Sequence, residues 1–259
     1  MIHTEHISKI FGDKQVLHDV STVFEKGKTN LIIGESGSGK TVLMKCLVGL
    51  YEPDEGSVFF DNRNFTQMPL SSRKEVRKEL GMLFQGSALF DSMSVIENVM
   101  FPLKMLTNMT YGQRVKRAVE CLSRVNLRGV NKRLPAEISG GMKKRVAIAR
   151  AIAVNPKYLF CDEPNSGLDP RTAILIDQLI AEITHEYNMT TIVNTHDMNS
   201  VLGIGDKVSF IHQGALWWEG DRHSILATDN AEVRRFIYAN EILQHFQPTD
   251  NPTGDAESS

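Results

Sequence analysis

The stretch GESGSGKT, residues 34–41, decides the fold. It matches the pattern GxxxxGK[ST] at every position, follows an apolar strand-like run at 31–33 and precedes an apolar helix-like run at 41–50. Glycines let a backbone curl so that several N–H groups point inward, and a helix N-terminus adds partial positive charge. The sequence therefore predicts a phosphate-binding loop between a strand and a helix.

In such a loop, Lys40 reaches the β- and γ-phosphates and the hydroxyl of Thr41 coordinates Mg²⁺. The pattern predicts binding of a nucleoside triphosphate, but it does not distinguish kinases, GTPases, helicases and transport ATPases. A chance match in a Gly/Ser-rich loop is the competing interpretation. The residues predicted to contact the phosphates are Gly34, Glu35, Ser36, Gly37, Ser38, Gly39, Lys40, Thr41 and Val42.

A pair of carboxylates follows a second apolar run. Asp162 and Glu163 come directly after 158–161, at the carboxyl end of a predicted strand, where open parallel sheets bind ligands. Asp162 suits the support of Mg²⁺, and Glu163 suits the polarisation of an attacking water. Taken alone, the pair could equally lie in a solvated turn.

Ser139, Gly140 and Gly141 begin a predicted helix that runs through Arg150. Serine is a good N-cap, and two glycines let a phosphate approach the backbone closely. The stretch is a second candidate anion site, distant in sequence from the first, and one nucleotide can use both if two chains meet head-to-tail. A plain capped helix is the alternative.

Together these motifs resemble those of ABC transporter ATPases. Residues 34–41 resemble Walker A, and Asp162 with Glu163 resembles the end of Walker B with its catalytic glutamate. Residues 139–141 resemble the LSGGQ signature, from which Ile138 and Met142 depart at its two ends. The resemblance covers about residues 1–225 and implies ATP and Mg²⁺ as cofactors and a homodimer as the working form.

The same resemblance assigns further residues. Gln85 matches the Q-loop glutamine that senses Mg²⁺ and water, and His196 matches the switch histidine that contacts the γ-phosphate. Asp169 ends a D-loop-like SGLD, and Phe11 lies where the family stacks an aromatic ring on adenine. The implied catalytic residues are Glu163, His196, Lys40 and Gln85; the implied metal ligands are Thr41, Gln85 and Asp162.

Residues 84–93, 95–99 and 101–103 resemble, more narrowly, the Mla-type ATPases that serve lipid transport between bacterial membranes. That resemblance accommodates Met142 and implies an MlaE-like permease and an MCE-domain protein as partners. It places the chain peripherally on the cytoplasmic face of the bacterial inner membrane, with membrane contact only through the permease. We expect Leu89 and Phe90 to form a groove for a permease helix, and Lys143, Lys144 and Arg145 to form a solvated helix face.

The predicted architecture is an α/β P-loop NTPase fold with a mostly parallel sheet, an antiparallel β edge at the N-terminus and an inserted α-helical subdomain. The ATPase domain spans 1–225. Its RecA-like core comprises 1–85 and 155–225, and its helical subdomain spans about 86–154. A C-terminal helical extension is predicted over 226–246 and a disordered tail over 247–259.

Net charge and the distribution of apolar residues narrow the possible partners and locations of the chain. The 259 residues carry a formal net charge of −2, which gives no basic footprint, so we expect no nucleic-acid partner. The first twelve residues lack the apolar core of a secretory signal, and no apolar run approaches the roughly 20 residues that span a bilayer. An amino-acid or metal-ion importer ATPase is the leading alternative. A non-transport ABC ATPase of DNA maintenance and a P-loop kinase are others.

Overall fold

A computed structural model describes residues 1–239. Its strands are, in chain order, β1 Ile2–Phe11, β2 Lys14–Phe24, β3 Thr29–Ile33, β4 Glu55–Phe60, β5 Arg63–Asn64, β6 Leu80–Leu83, β7 Tyr158–Asp162, β8 Thr190–Asn194, β9 Lys207–His212 and β10 Ala215–Gly220. Its α-helices are α1 Lys40–Leu47, α2 Leu70–Lys78, α3 Val95–Leu106, α4 Tyr111–Arg124, α5 Gly140–Ile152, α6 Pro170–Tyr187, α7 Met198–Ile204 and α8 Ala231–Tyr238.

The central sheet has the strand order β10-β9-β3-β8-β7-β6. Strands β9, β3, β8, β7 and β6 pair in parallel, and β10 joins β9 as an antiparallel hairpin strand. The predicted, mostly parallel sheet is thus confirmed. Because parallel strands end at one edge, the loops that follow β3, β6, β7 and β8 all begin at that edge.

A second sheet, with the order β2-β1-β4-β5, is antiparallel throughout and confirms the predicted N-terminal β edge. The two apolar cores lie on opposite faces of the parallel sheet. In β3, Ile32 belongs to the core shared with the antiparallel sheet, while Leu31 and Ile33 belong to the core shared with the helices. This division follows from the alternation of side chains along a strand.

Helices α3, α4 and α5 lie between β6 and β7 in the chain and supply part of the helix-side core. Val95, Val99 and Leu103, spaced four residues apart, form one buried face of α3. Ser94 begins this helix with a capping box, in which its N–H donates to Glu97 Oε2 at 2.7 Å. The division into a core and a helical subdomain remains a prediction.

Some predicted boundaries shift. Helix α1 ends at Leu47 rather than at residue 50, because Gly49 adopts φ 71° and terminates it. Helix α8 lies within the predicted extension, 226–246, but the remainder of that extension and the 247–259 tail fall outside the described residues. Within residues 1–239, no helix has the length and hydropathy needed to cross a bilayer.

Candidate active site

The glycine-rich loop joins β3 to α1 at the carboxyl edge of the parallel sheet. All three of its glycines, Gly34, Gly37 and Gly39, adopt positive φ. Gly34 has φ 145°, and a Cβ there would lie 2.2 Å from the carbonyl oxygen of Ile211. Gly39, at φ 107°, precedes α1 and has no side chain to cap it, which leaves the first N–H groups of the helix available to an anion.

Lys40 lies under this loop with only 6% of its surface exposed. Its ammonium donates to the carbonyl oxygens of Gly34, at 2.9 Å, and Glu35, at 2.8 Å. Burial lowers the pKa of Lys40, and the nearby carboxylates of Glu163 and Asp162 oppose that shift in pKa. The loop is therefore built around a buried cation, as a triphosphate cradle requires.

Asn194, at the end of β8, joins two of the three predicted metal ligands, Thr41 and Asp162. Its Nδ2 donates to Asp162 Oδ1 at 2.6 Å and to Thr41 Oγ1 at 3.2 Å. A carboxylate and a hydroxyl are oxygen donors that suit Mg²⁺, which is usually bound through one or two carboxylates together with substrate phosphates and water. The donor set therefore fits this ion. Sequence reasoning missed Asn194, although its place at the end of a parallel strand was a usable signal.

Glu163 and His196 meet at the mouth of the site. The Nδ1 atom of His196 lies 2.9 Å from Glu163 Oε1. Glu163 adopts the left-handed φ of 48°, and its N–H donates to the carbonyl of Asn194 at 2.9 Å. Gln85 Nε2 lies 3.5 Å from the hydroxyl of Ser166, in the segment that follows Glu163. The loops after three strands thus converge here.

These groups line a cavity of about 610 Å³, within the usual range for ligand sites. Of the predicted residues, Glu35, Ser36, Gly37, Lys40, Thr41, Gln85, Glu163 and His196 line it. Met198, Phe236 and Ala239 line it as well and were not predicted. Phe236 belongs to α8 and packs on Phe210 with ring centroids 5.3 Å apart, and no motif in the sequence signals its position.

Phe11 is not among the residues that line this cavity. It lies at the end of β1, is 41% exposed and meets Tyr51 edge-on at 5.3 Å between ring centroids. The ammonium of Lys9 lies over this ring, 5.3 Å from its centroid, and the contact of Phe11 with adenine remains a prediction.

The Ser139 turn forms a separate site. Ser139 Oγ accepts the N–H of Met142 at 3.3 Å and caps α5. A cavity of about 310 Å³ is lined here by Ser139, Gly140, Gly141, Met142, Arg145, Gly167, Leu168, Asp169 and Thr172. None of these residues lines the phosphate-loop cavity. The structure therefore does not unite the two predicted anion sites within one chain.

The burial of Lys144 contradicts the prediction that Lys143, Lys144 and Arg145 form a solvated helix face. Lys143 and Arg145 are partly exposed, but Lys144 is 4% exposed. Its ammonium donates to the carbonyl oxygen of Gln85 and, at 3.4 Å, to that of Glu163. The prediction failed because α5 packs against β6 and the helical core, which turns this one position toward the loops after β6 and β7.

A buried polar cluster lies beneath the D-loop-like segment. Asp177 of α6 accepts from Asn165 at 2.7 Å and from Ser200 of α7 at 2.8 Å. Burial raises the pKa of Asp177 to about 6, against the two hydrogen bonds that lower it, and the charge of Asp197 raises it further. The cluster joins the segment after Glu163 to the helix after His196 and was missed by sequence reasoning.

Known proteins share these features. A family model described as ABC transporter matches residues 17–166. The probable ribonucleotide transport ATP-binding protein mkl of Mycobacterium bovis is 34% identical over 241 residues, which is 93% of this chain and 67% of the relative. The methionine import ATP-binding protein MetN of Clostridioides difficile is 37% identical over 243 residues, covering 94% of this chain and 75% of the relative.

Among solved structures, the dimeric bacterial ABC transporter cassette MJ0796 aligns with a TM-score of 0.78 and 31% identity, covering 86% of this chain and 99% of the other. The same cassette has also been solved in a post-hydrolysis state bound to ADP and Pi. The family match, which spans more than half of the chain, agrees with the phosphate loop, the paired carboxylates and the serine-capped turn. The chain belongs to the ABC transporter ATP-binding family, and it is an ATP-binding, ATP-hydrolysing enzyme.

Proposed function

We propose that this chain powers a membrane permease through ATP-driven closure of a homodimer, in which each ATP lies between the phosphate loop of one copy and the Ser139 turn of its twin. One observation carries the proposal: the two anion sites line separate cavities within a single chain. A head-to-tail pair brings each loop against the other copy's turn and completes both sites with one symmetric interface.

One glycine of the turn, Gly140, supports this arrangement, whereas the fold itself needs Gly141, because a Cβ there would lie 2.7 Å from Thr172 Cγ2. A Cβ at Gly140 would meet only Leu168 Cδ2, at 3.7 Å, and Gly140 does not need a left-handed backbone. The fold itself therefore has no use for a glycine there, and a close approach by an external group explains it. Helix α5 begins at this residue, so its N-terminus offers N–H donors to a γ-phosphate.

For hydrolysis, we assign Glu163 to orient the attacking water and accept its proton, with His196 held beside it. Lys40 balances charge on the transferring phosphoryl group. Mg²⁺, held by Thr41, Asp162 and Gln85, would supply further charge neutralisation to the phosphate oxygens. By its hydrogen bonds, Asn194 holds the hydroxyl of Thr41 and the carboxylate of Asp162 close together, as joint binding of that ion requires.

An apolar groove of about 380 Å³ beside α3 supports docking of a permease helix. Phe90 and Phe101 pack together in it with centroids 4.7 Å apart, and Phe84, Phe90 and Leu106 are each 40% exposed. Phe90 lines this groove. Leu89 instead packs against the helical core, so only one of the two residues predicted for this groove lines it.

We propose a phospholipid as the cargo, an MlaE-like permease and an MCE-domain protein as the partners, and the cytoplasmic face of a bacterial inner membrane as the location. The sequence of residues 84–103 supports this narrower assignment. The relatives' names favour a second candidate, an ATPase subunit of a small-molecule importer, since one of them is named for methionine import. Copurification with the membrane partner separates the two: we expect bound phospholipid and ATP turnover stimulated by phospholipid, whereas stimulation by methionine alone would favour the importer.

Complementation tests the composite dimer. Lys40→Ala disables the phosphate loop of one copy, and Ser139→Arg blocks the turn of another. In a mixed head-to-tail dimer, one ATP pocket contains both substitutions. The other pocket combines the unchanged phosphate loop of one copy with the unchanged turn of its twin. We expect each variant to be inactive alone and the mixture to recover a fraction of parental ATP turnover. A site confined to one chain predicts no recovery on mixing.

A further inference from the structure

We propose that Lys144 is a positioning residue that couples the two nucleotide contacts of each chain, because its buried side chain fastens the helix behind the Ser139 turn to the backbone of Gln85 and Glu163. The inference rests on the proposed composite dimer, in which the Ser139 turn and the phosphate loop of one chain serve different ATP molecules. Lys144 would then link the two ATP sites: when ATP occupies the site that Ser139 contacts, Lys144 would affect the position of Glu163, which orients water at the other site.

The contacts place Lys144 between the two sites. It lies five residues after Ser139 in α5, about 7.5 Å along the helix axis from the turn. Its ammonium donates to the carbonyl oxygen of Gln85, which follows β6, and to that of Glu163, which follows β7. One side chain on a rigid helix therefore holds two of the loops that line the phosphate-loop cavity.

A lysine is a costly choice for this position. At 4% exposure its charge is largely removed from water, and burial lowers the pKa of Lys144. Cys161, Glu163 and Asp162 oppose this lowering of the pKa. A methionine or leucine would fill the same volume without a desolvation cost, so the polar contacts themselves explain the residue.

A second cation on the same helix acts on the same loop. Arg150 donates to the carbonyl oxygens of Ser87 and Ala88, each at 2.7 Å. Ser87 and Ala88 have φ values of 64° and 44°, so the segment after Gln85 is held in a conformation that non-glycine residues rarely adopt. Helix α5 thus hydrogen-bonds to this loop through two side chains, Lys144 and Arg150. A shift of the helix would therefore move Gln85 with it.

The test compares Lys144→Met, which keeps the volume and removes the donors, with Lys144→Arg, which keeps charge and donors. Lys143→Met, at the partly exposed neighbouring position, is the matched control. We expect Lys144→Met to bind ATP within about threefold of the parental Kd but to hydrolyse it at least about tenfold more slowly. Lys144→Arg should recover part of the rate, and Lys143→Met should leave it unchanged.

A double-mutant cycle separates coupling from simple structural support. If Lys144 transmits the Ser139 contact, Ser139→Ala combined with Lys144→Met should lower turnover no further than the worse single variant. Multiplying losses would overturn the proposal, as would a Lys144→Met protein with parental turnover. So would a Lys144→Met protein in which ATP affinity and thermal stability fall together with the rate, without rescue by arginine.

A different experiment, the complementation test, decides the proposed function. If the mixture of Lys40→Ala and Ser139→Arg chains recovers no activity, the composite dimer is wrong whatever the behaviour of Lys144. If that mixture recovers activity and the double-mutant cycle is multiplicative, the dimer stands and the coupling role of Lys144 is rejected.

Discussion

His196 Nδ1 lies 2.9 Å from Glu163 Oε1, although the two residues follow different strands of the parallel sheet. The side chain of Glu163 is 16% exposed and that of His196 is 66% exposed, so the imidazole covers a largely sheltered carboxylate from the solvent side. Such a pair can hold one water for attack while the histidine meets the phosphate that is attacked.

Glu163→Gln should retain ATP and lose hydrolysis by at least about a hundredfold, because the amide keeps the side chain's length but cannot accept the proton. Glutamine also tolerates the backbone as glutamate does, since neither is branched at Cβ. Light scattering with ATP and Mg²⁺ should show a doubling of the 29.0 kDa chain mass. Parental turnover in this variant would remove Glu163 from the assigned role.

Lys40→Ala should weaken ATP binding by at least about a hundredfold, since it removes charge-assisted hydrogen bonds worth roughly 3 kcal/mol. Lys45→Ala is the control on the same helix, because Lys45 lies over the Tyr51 ring at 5.2 Å and not in the cavity. Isothermal titration measures both affinities. Equal losses in the two variants would indicate damage to α1 rather than loss of a phosphate contact.

Gly140→Ala separates the needs of the fold from those of the ligand. Alanine fits the helix start without a clash and should stabilise the isolated chain by up to about 1 kcal/mol. The added methyl group should nevertheless impair ATP-driven dimerisation, because it occupies the surface that approaches the phosphate. Thermal melts and light scattering report the two effects, and a variant that dimerises at the parental ATP concentration would argue against the close approach.

Asp177→Asn should change how stability depends on pH. Burial raises the pKa of Asp177 to about 6 in the folded chain, above the 3.8 of an exposed aspartate, so the folded state binds the proton more tightly than the unfolded state. Its contribution to the free energy of unfolding is therefore fully present below pH 3.8 and declines as pH rises to about 6. The shift in pKa corresponds to about 3 kcal/mol.

The difference in free energy of unfolding between parental chain and Asp177→Asn should therefore fall over that interval and level off above it. Urea titrations at successive pH values measure it. Asp206→Asn, which removes a carboxylate that accepts the N–H of Thr29 at 2.9 Å, controls for the general loss of an acidic group. A flat difference for Asp177→Asn would mean that this carboxylate is not the titrating group.

Much of the fold followed from contiguous residues. The phosphate loop was predictable because its glycines meet local backbone demands, such as φ 145° at Gly34, and because its lysine and threonine are adjacent to them. Strand β8, Thr190–Asn194, is a short β-branched run that carries the strand preference itself. The serine-capped start of α5 was equally local.

The sequence by itself therefore determined which groups exist for binding phosphate and which strands and helices carry them. Only the tertiary structure decided that Asn194 bridges Thr41 and Asp162, that Lys144 points inward among three successive basic residues, and that the two anion sites stay apart within one chain. The physical reason is that backbone preferences act over a few neighbouring residues, whereas the direction a side chain faces depends on packing between elements that are distant in the chain.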